Sequence, residues 1–235
     1  MKIYIKIFFS FFYKLKSLLL MNKINNKGNK YRLPLFFYKS KTIMNGIKNS
    51  LQIFSKVEKS MFFISGNGNK LIANAIEIIN TSISVTGNNN EIIFEKDTKI
   101  RNCNIIIRGN GCKILIGNQT TIGGARIINV GTNCLIKIGN KCLFSDNIEI
   151  WASDTHSIFD SNNTMINPEK DIIINDNVWI GTHVKILKGV TIGQGCVVGI
   201  ATLVTKDIPS NTLSVGNPNR VIKEGISWDV NYQIK

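Results

Sequence analysis

The chain of 235 residues holds two histidines, His156 and His183, and imidazole is the side chain whose ordinary pKa lets it take up and release a proton near neutral pH. His156 stands in a polar run, Asp154-Thr155-His156-Ser157-Ile158, where an imidazole can accept the proton of a hydroxyl nucleophile and hand it on to a leaving group. Asp154 is a candidate to orient that ring or to hold a second substrate, although an Asp two residues away is equally a turn residue; Asp160 is a weaker candidate of the same kind. His183, inside Ile180-Gly181-Thr182-His183-Val184-Lys185, reads as a surface or interface residue. A zinc centre built on three histidines is disfavoured, because the chain has two. The five cysteines, Cys103, Cys112, Cys134, Cys142 and Cys196, form no CxxC pair, and their odd number points to reduced, buried thiols.

The elements that must position these residues announce themselves by period. From Ile174 to Asp207 an aliphatic residue recurs every six positions: Ile174, Ile180, Ile186, Ile192, Val198 and Val204. A second small or branched residue follows each of the first five four positions later, at Val178, Val184, Val190, Cys196 and Thr202. Neither the three-and-four spacing of a helix nor the alternation of a half-buried strand gives a strict six. A parallel β-helix does: each hexad supplies one short strand and a corner, three hexads close one triangular coil, and the aliphatics stack from coil to coil.

Upstream, Gly66-Asn67, Gly87-Asn88, Gly109-Asn110 and Gly131-Thr132 recur at 21 or 22 residues, each followed by an apolar strand. They predict irregular coils of the same solenoid, with extra residues at one corner where Gly and Asn accept positive φ. Residues 152–173 break the hexads with a polar stretch, which predicts a loop projecting from a rigid scaffold.

The run from Asp176 to Lys223, DNVWIGTHVKILKGVTIGQGCVVGIATLVTKDIPSNTLSVGNPNRVIK, resembles the C-terminal half of the hexapeptide-repeat acyltransferases, and the resemblance extends over roughly residues 65–228. The segment WASDTHSIFD before the hexads is similar to the branch that O-acetylates capsular and other surface polysaccharides, including polysialic acid. The resemblance implies an all-β, left-handed parallel β-helix. It implies an acetyl-CoA-dependent O-acetyltransferase that assembles as a homotrimer with sites at subunit interfaces, and His156 as general base in direct transfer to a sugar hydroxyl. It places Trp179 near the thioester end of CoA. Gly181, Gly199 and Ala201 match positions where small side chains let CoA approach the backbone, and Lys206, Arg220 and Lys223 match basic positions near its phosphates. Many relatives carry His just before the VWIG run, where this chain has Asn177. Trp151 matches no role.

The competing readings are an N-acetyltransferase acting on a nucleotide-linked amino sugar, and a non-catalytic or metal-dependent solenoid. No metal and no nucleic-acid partner is expected.

The net charge of +14 is uneven: residues 1–60 hold 13 Lys and Arg against Glu58, while the remainder holds 16 against 14 acids. Residues 1–64 are therefore expected as a basic, partly helical extension, with a helix near 42–55. Residues 1–20 place Lys2, Lys6, Ser10 and Lys14 on one stripe of a helix, which fits either an interfacial membrane anchor or a helix packed on a subunit. They lack a signal-peptide cleavage site and are broken by lysines, so a cytoplasmic protein, peripheral at the inner membrane through this segment, is expected. Residues 65–208 are expected as the β-helix and 209–235 as a cap over its open end. The basic extension also invites a polyanionic acceptor.

Overall fold

A computed structural model describes residues 22–24 and 27–231. The proposed amphipathic helix of residues 1–20 lies outside the described residues. The described chain winds into a three-faced parallel β-solenoid with sheets of nine, eight and ten strands, in which consecutive strands go to successive faces and every third strand pairs with the one before it. Among the described residues all strand pairings are parallel except two: Thr212–Val215 with Arg220–Glu224, and an isolated bridge inside the projecting loop.

Alternation builds each face. In Met61–Ser65, Phe62 and Ile64 point inward and are buried while Met61, Phe63 and Ser65 point out. In parallel register Phe62 stacks between Thr42 and Ile83, and Ile83 on Ile105. The result is one continuous core running the length of the molecule. The hexad positions end where the period places them: the six opening aliphatics and Val178, Val184, Val190 and Cys196 are buried, and Thr202 is buried with its hydroxyl bonded to the Gly199 carbonyl at 2.7 Å.

Coil length changes along the axis. Stacked partners are 20 residues apart in the first coils, then 21, then 22, rise to 36 across the loop, and fall to the 18 that separate Ile186 from Val204. The Gly-Asn repeat marks the corner between the first and second faces. Gly46, Gly66, Gly87, Gly109 and Gly131 all have positive φ, and a Cβ on any of the first four would overlap the carbonyl oxygen of the next glycine in the column. Only glycine lets these backbones stack so closely. Inside the same corner runs a buried amide ladder. Asn69 Nδ2 donates to the Gly87 carbonyl at 2.7 Å, and its Oδ1 accepts the Asn90 amide N–H at 3.0 Å. Asn90 repeats the pattern towards Gly109 and Cys112, so each buried amide satisfies backbone groups of two coils.

The structure corrects the expected domain boundary. Residues 27–64 are not an extension but further coils, and 42–55, expected as a helix, comprises the strands Lys41–Asn45 and Ser50–Ile53. The inward residues there alternate by two (Thr42 and Met44, then Leu51 and Ile53), and Gly46 at φ 97° turns the chain between them. The loop spans 152–171, since its return strand begins at Ile172. At the other end, Thr212–Val215 still stacks in parallel on Val197–Val198, so the solenoid continues into the expected cap and only Arg220–Glu224 folds back antiparallel across the open edge.

Candidate active site

The loop that carries His156 leaves the first face after Ile148–Trp151 and returns to the second face at Ile172–Ile174. Its neck is closed by backbone and carboxylate contacts. The Lys170 amide donates to the Ala152 carbonyl at 3.1 Å, Thr132 N–H to Glu169 Oε1 at 2.6 Å, and Leu135 N–H to Asp171 Oδ1 at 2.8 Å. The last long corner, at Gly131 and Thr132, thus holds the returning leg.

Within the loop, one polar cluster fixes the chain around His156. Lys188 Nζ donates to Asp154 Oδ2 at 2.6 Å and to the Asn167 carbonyl at 2.9 Å. Asn167 Nδ2 bridges Asp154 Oδ2 and the His156 carbonyl, at 2.8 and 2.9 Å, and its Oδ1 accepts the Ile158 amide at 2.6 Å. The hydrogen bond from Lys188 holds the Asp154 carboxyl below its ordinary pKa, helped by Asn167 and opposed by partial desolvation. Asp154 therefore grips the loop and does not touch the imidazole, reaching His156 only through Asn167 and the main chain. The His156 side chain is exposed, and its backbone is pinned on both sides. Asp160 accepts the amides of Asn162 and Thr164, both at 2.9 Å, and is a turn residue. Lys188 and Asn167 were not singled out by sequence; a lysine at a corner and an Asn in a polar loop carry no periodic signal.

The other expected residues lie elsewhere on the triangle. Trp179 opens a strand on the third face, half-exposed, with its ring 6.0 Å from that of Trp228. Trp228, which sequence reasoning passed over, sits on the C-terminal return and donates its indole N–H to the Asn177 carbonyl at 2.8 Å. The residue before the VWIG run thus contributes a backbone carbonyl to this pair.

Gly181, Gly199, Ala201 and His183 occupy the corner between the third and first faces. A Cβ on Gly181 would lie 2.9 Å from Ile200 N, and one on Gly199 2.7 Å from Val215 Cγ1, so coil packing already demands both glycines. Ala201 is exposed at φ 56°, and its N–H goes to the Thr182 carbonyl at 2.9 Å. His183 is exposed at φ 59° and lines a groove of about 690 Å³ with Asp146, Glu149, Arg126 and Lys185. No residue of the 152–171 loop lines that groove or the recess beside Trp179 and Trp228.

Asn219 draws the basic positions together: its Oδ1 accepts the Thr205 and Lys206 amides at 3.0 and 3.3 Å, its Nδ2 donates to the Lys206 carbonyl at 3.3 Å, and Arg220 follows it in sequence. Lys206, Arg220 and Lys223 are all exposed at this end of the solenoid. Trp151 lies under the Arg126 guanidinium at 5.0 Å and donates to Glu149 Oε2 at 2.8 Å, a packing role. All five cysteines are buried and free; burial pushes the thiols of Cys103 and Cys134 up to about 12 and that of Cys142 to about 11. Among the described residues no three His, Cys, Asp or Glu side chains converge on a metal position.

A parallel three-faced solenoid with one anchored histidine loop defines a class of β-helix protein, and comparison narrows it. No protein-family model matches the chain. The crystal structure of the polySia-specific acetyltransferase NeuO aligns with TM-score 0.67 and 32% identity, over 91% of this chain and 90% of its own. That of the polysialic acid O-acetyltransferase OatWY aligns with TM-score 0.70 and 29% identity, over 84% and 93%. Among curated sequences, the polysialic acid O-acetyltransferase of Escherichia coli O1:K1 / APEC is 40% identical over 88 residues, covering 37% of this chain and 29% of the relative. The galactoside O-acetyltransferase of Escherichia coli K12 is 52% identical over 64 residues, covering 27% and 32%. The chain thus spans about a third of the length of the curated relatives it matches. It belongs to the hexapeptide-repeat acetyltransferases, and its fold is the left-handed parallel β-helix of that family.

Proposed function

We propose that this protein transfers the acetyl group of acetyl-CoA to a hydroxyl of a capsular or other surface polysaccharide, with His156 as general base, and that it does so as a cytoplasmic homotrimer. The observation that carries the reading is the loop: the Lys188–Asp154–Asn167 cluster fixes the backbone of His156 and leaves its imidazole open to a substrate. Likeness to two polysialic acid O-acetyltransferases along more than four fifths of the chain supports the acceptor class.

In direct transfer the neutral imidazole accepts the hydroxyl proton as the sugar oxygen attacks the acetyl carbonyl. The tetrahedral oxyanion then collapses, the C–S bond breaks, and the imidazolium protonates the CoA thiolate. The indole N–H or the ring of Trp179 is suited to the thioester end, and Trp228 holds its outer face. Lys206, Arg220 and Lys223 offer charge-assisted contacts to the nucleotide phosphates.

Assembly is supported by the placement of these residues. His156 is attached at the first–second corner, whereas Trp179 and the small residues Gly181, Gly199 and Ala201 belong to the third face and the third–first corner. One chain does not gather them, and a second copy that presents its third–first corner to the loop would.

The test is thiol release from acetyl-CoA against a panel of surface polysaccharides and amino sugars, with wild type and His156→Ala. Turnover on a hydroxyl acceptor that falls at least about a hundredfold in the variant, with CoA binding retained, is the expected result. Activity that survives His156→Ala and is lost in His183→Ala would move the base to the other groove, and transfer to an amine alone would replace the acceptor class.

A further inference from the structure

The N-terminal coils carry a surface that neither the core nor the proposed chemistry requires. The corner between the second and third faces opens at structurally equivalent positions on Phe54, Asn74, Glu95, Gly117, Gly139 and Asn175, each joined by its N–H to the carbonyl ending the second-face strand of the next coil. From the third of these onward the corner is polar, made of Gly, Asn, Gln, Lys and acidic residues, as solvent-facing turns ordinarily are. At the two corners before Asn74, residues 33–36 and Phe54-Ser55, it is apolar and aromatic instead. Leu35 is 106% exposed, Phe36 45% and Phe54 46%. Three exposed rings have a cation over them: the Arg32 guanidinium lies 4.5 Å from the Phe54 centroid, Lys56 Nζ 5.2 Å from Phe36, and Lys39 Nζ 5.4 Å from Tyr38. Phe36 and Tyr38 are themselves neighbours at 6.4 Å. Residues 27–59 hold eight Lys and Arg against the single acid Glu58.

We infer that this corner docks the protein on an anionic lipid surface, with Leu35, Phe36 and Phe54 entering the headgroup–acyl boundary and Arg32, Lys39 and Lys56 pairing with lipid phosphates. Charge alone would equally suit a polyanionic glycan, but such a chain offers nothing to a fully exposed leucine between aromatic rings. Apolar side chains that protrude beside cations are what an interface with hydrocarbon below and anions above rewards. The turn from apolar to Glu95 and Asp97 at the same corner two coils on confines the surface to the N-terminal end, away from the His156 loop, so a docked solenoid would hold its loop clear of the bilayer.

The experiment uses the full chain and vesicles of phosphatidylcholine with about a third phosphatidylglycerol, against pure phosphatidylcholine, at low and high salt. Wild type should sediment with the anionic vesicles, and Leu35→Ser/Phe36→Ser/Phe54→Ser should lose at least about tenfold in affinity, because each substitution removes apolar area from the boundary. All three positions are exposed, so circular dichroism should be unchanged. Because all five natural cysteines are buried, Leu35→Cys provides one accessible thiol for an environment-sensitive fluorophore, whose emission should shift to the blue on anionic vesicles. Wild-type sedimentation of the triple variant, or a fluorophore at position 35 that stays in water while the protein is bound, would overturn the assignment and give the binding to another segment. Retention on a soluble polyanionic glycan without vesicle binding would overturn it in favour of the glycan.

Discussion

The solenoid is made of two kinds of coil, and the His156 loop is inserted where one gives way to the other. In the long coils, up to Thr132, the first–second corner is built from stacked glycines and buried amides, so neighbouring coils touch backbone to backbone. In the short coils after Ile172 the same corner is only Lys188-Gly189-Val190, and the register step falls to 18. The first kind is locked by stacked glycines and by side-chain hydrogen bonds to the next coil, from Asn49, Asn69 and Asn90 and, at the equivalent position, from Cys112 Sγ to the Gly131 carbonyl. The second is held by stacked aliphatics and by glycines without positive φ, Gly181, Gly193 and Gly199, where an added Cβ would come within 2.9, 2.4 and 2.7 Å of a neighbouring atom. A loop of twenty residues can be hung at the join because the last glycine corner anchors its return leg and the first short corner supplies Lys188. The site is thus fixed from both sides without disturbing any of the three sheets.

The difference is broken most severely by Gly87→Ala. A methyl group there overlaps the Gly109 carbonyl, and φ is 111°, so the whole column must shift; we expect a loss of about 4 kcal/mol or more, or failure to fold. Gly181→Ala in the short coils meets Ile200 N at 2.9 Å without a positive φ, and should cost about 1–2 kcal/mol. Urea unfolding of the two variants side by side measures the contrast, and equal losses would erase it. Asn69→Ala should fall between them at about 2–4 kcal/mol, because it orphans the Gly87 carbonyl and the Asn90 amide inside the corner. Solenoid coupling is nearest-neighbour, so this variant should loosen the coils on the N-terminal side first, seen as early hydrogen exchange in Lys41–Asn45 and Met61–Ser65.

What the sequence displayed follows the same division. The hexads were legible because an aliphatic at every sixth position has no other economical explanation, and each of those residues is in the core. The Gly-Asn spacing displayed the long coils from Gly66 on. It was also present at Gly46 and in the series Asn49, Asn69 and Asn90, but lysines between the strands and a two-residue Phe54-Ser55 corner hid the period, and a basic helix was expected instead. The site was legible only in part. His156 could be picked out because histidine is rare in the chain, and Trp179 because its hexad resembles a family motif. The contacts that hold the loop join residues 9 to 37 positions apart through an aperiodic segment, and Trp228 reaches Asn177 across 51. Such pairings depend on how the loop and the C-terminal return fold over the faces, which no local pattern encodes.

The smallest expected effect tests whether the join serves the loop alone. Asp154 is held below its ordinary pKa by Lys188, and a carboxyl depressed in the folded state contributes order that is present above its unfolded value of about 3.9 and lost as pH falls through the lower, folded value. Asp154 is exposed, its partner Lys188 is largely covered, and the pair ties down only the projecting loop, so the global unfolding midpoint should barely respond. Protection of the Ile158 amide, which Asn167 holds, should fall in acid below about pH 4 while the amides of Ile148–Trp151 stay protected. Asp154→Asn should remove that step, leaving the loop equally loose at pH 7 and in acid. The same variant should lower turnover several-fold, well short of the His156→Ala loss, because it releases the backbone of His156 without removing its imidazole. A loss as large as that of His156→Ala would instead give the carboxylate a direct part in the chemistry, and a collapse of global stability would mean that the join supports both kinds of coil as well as the loop between them.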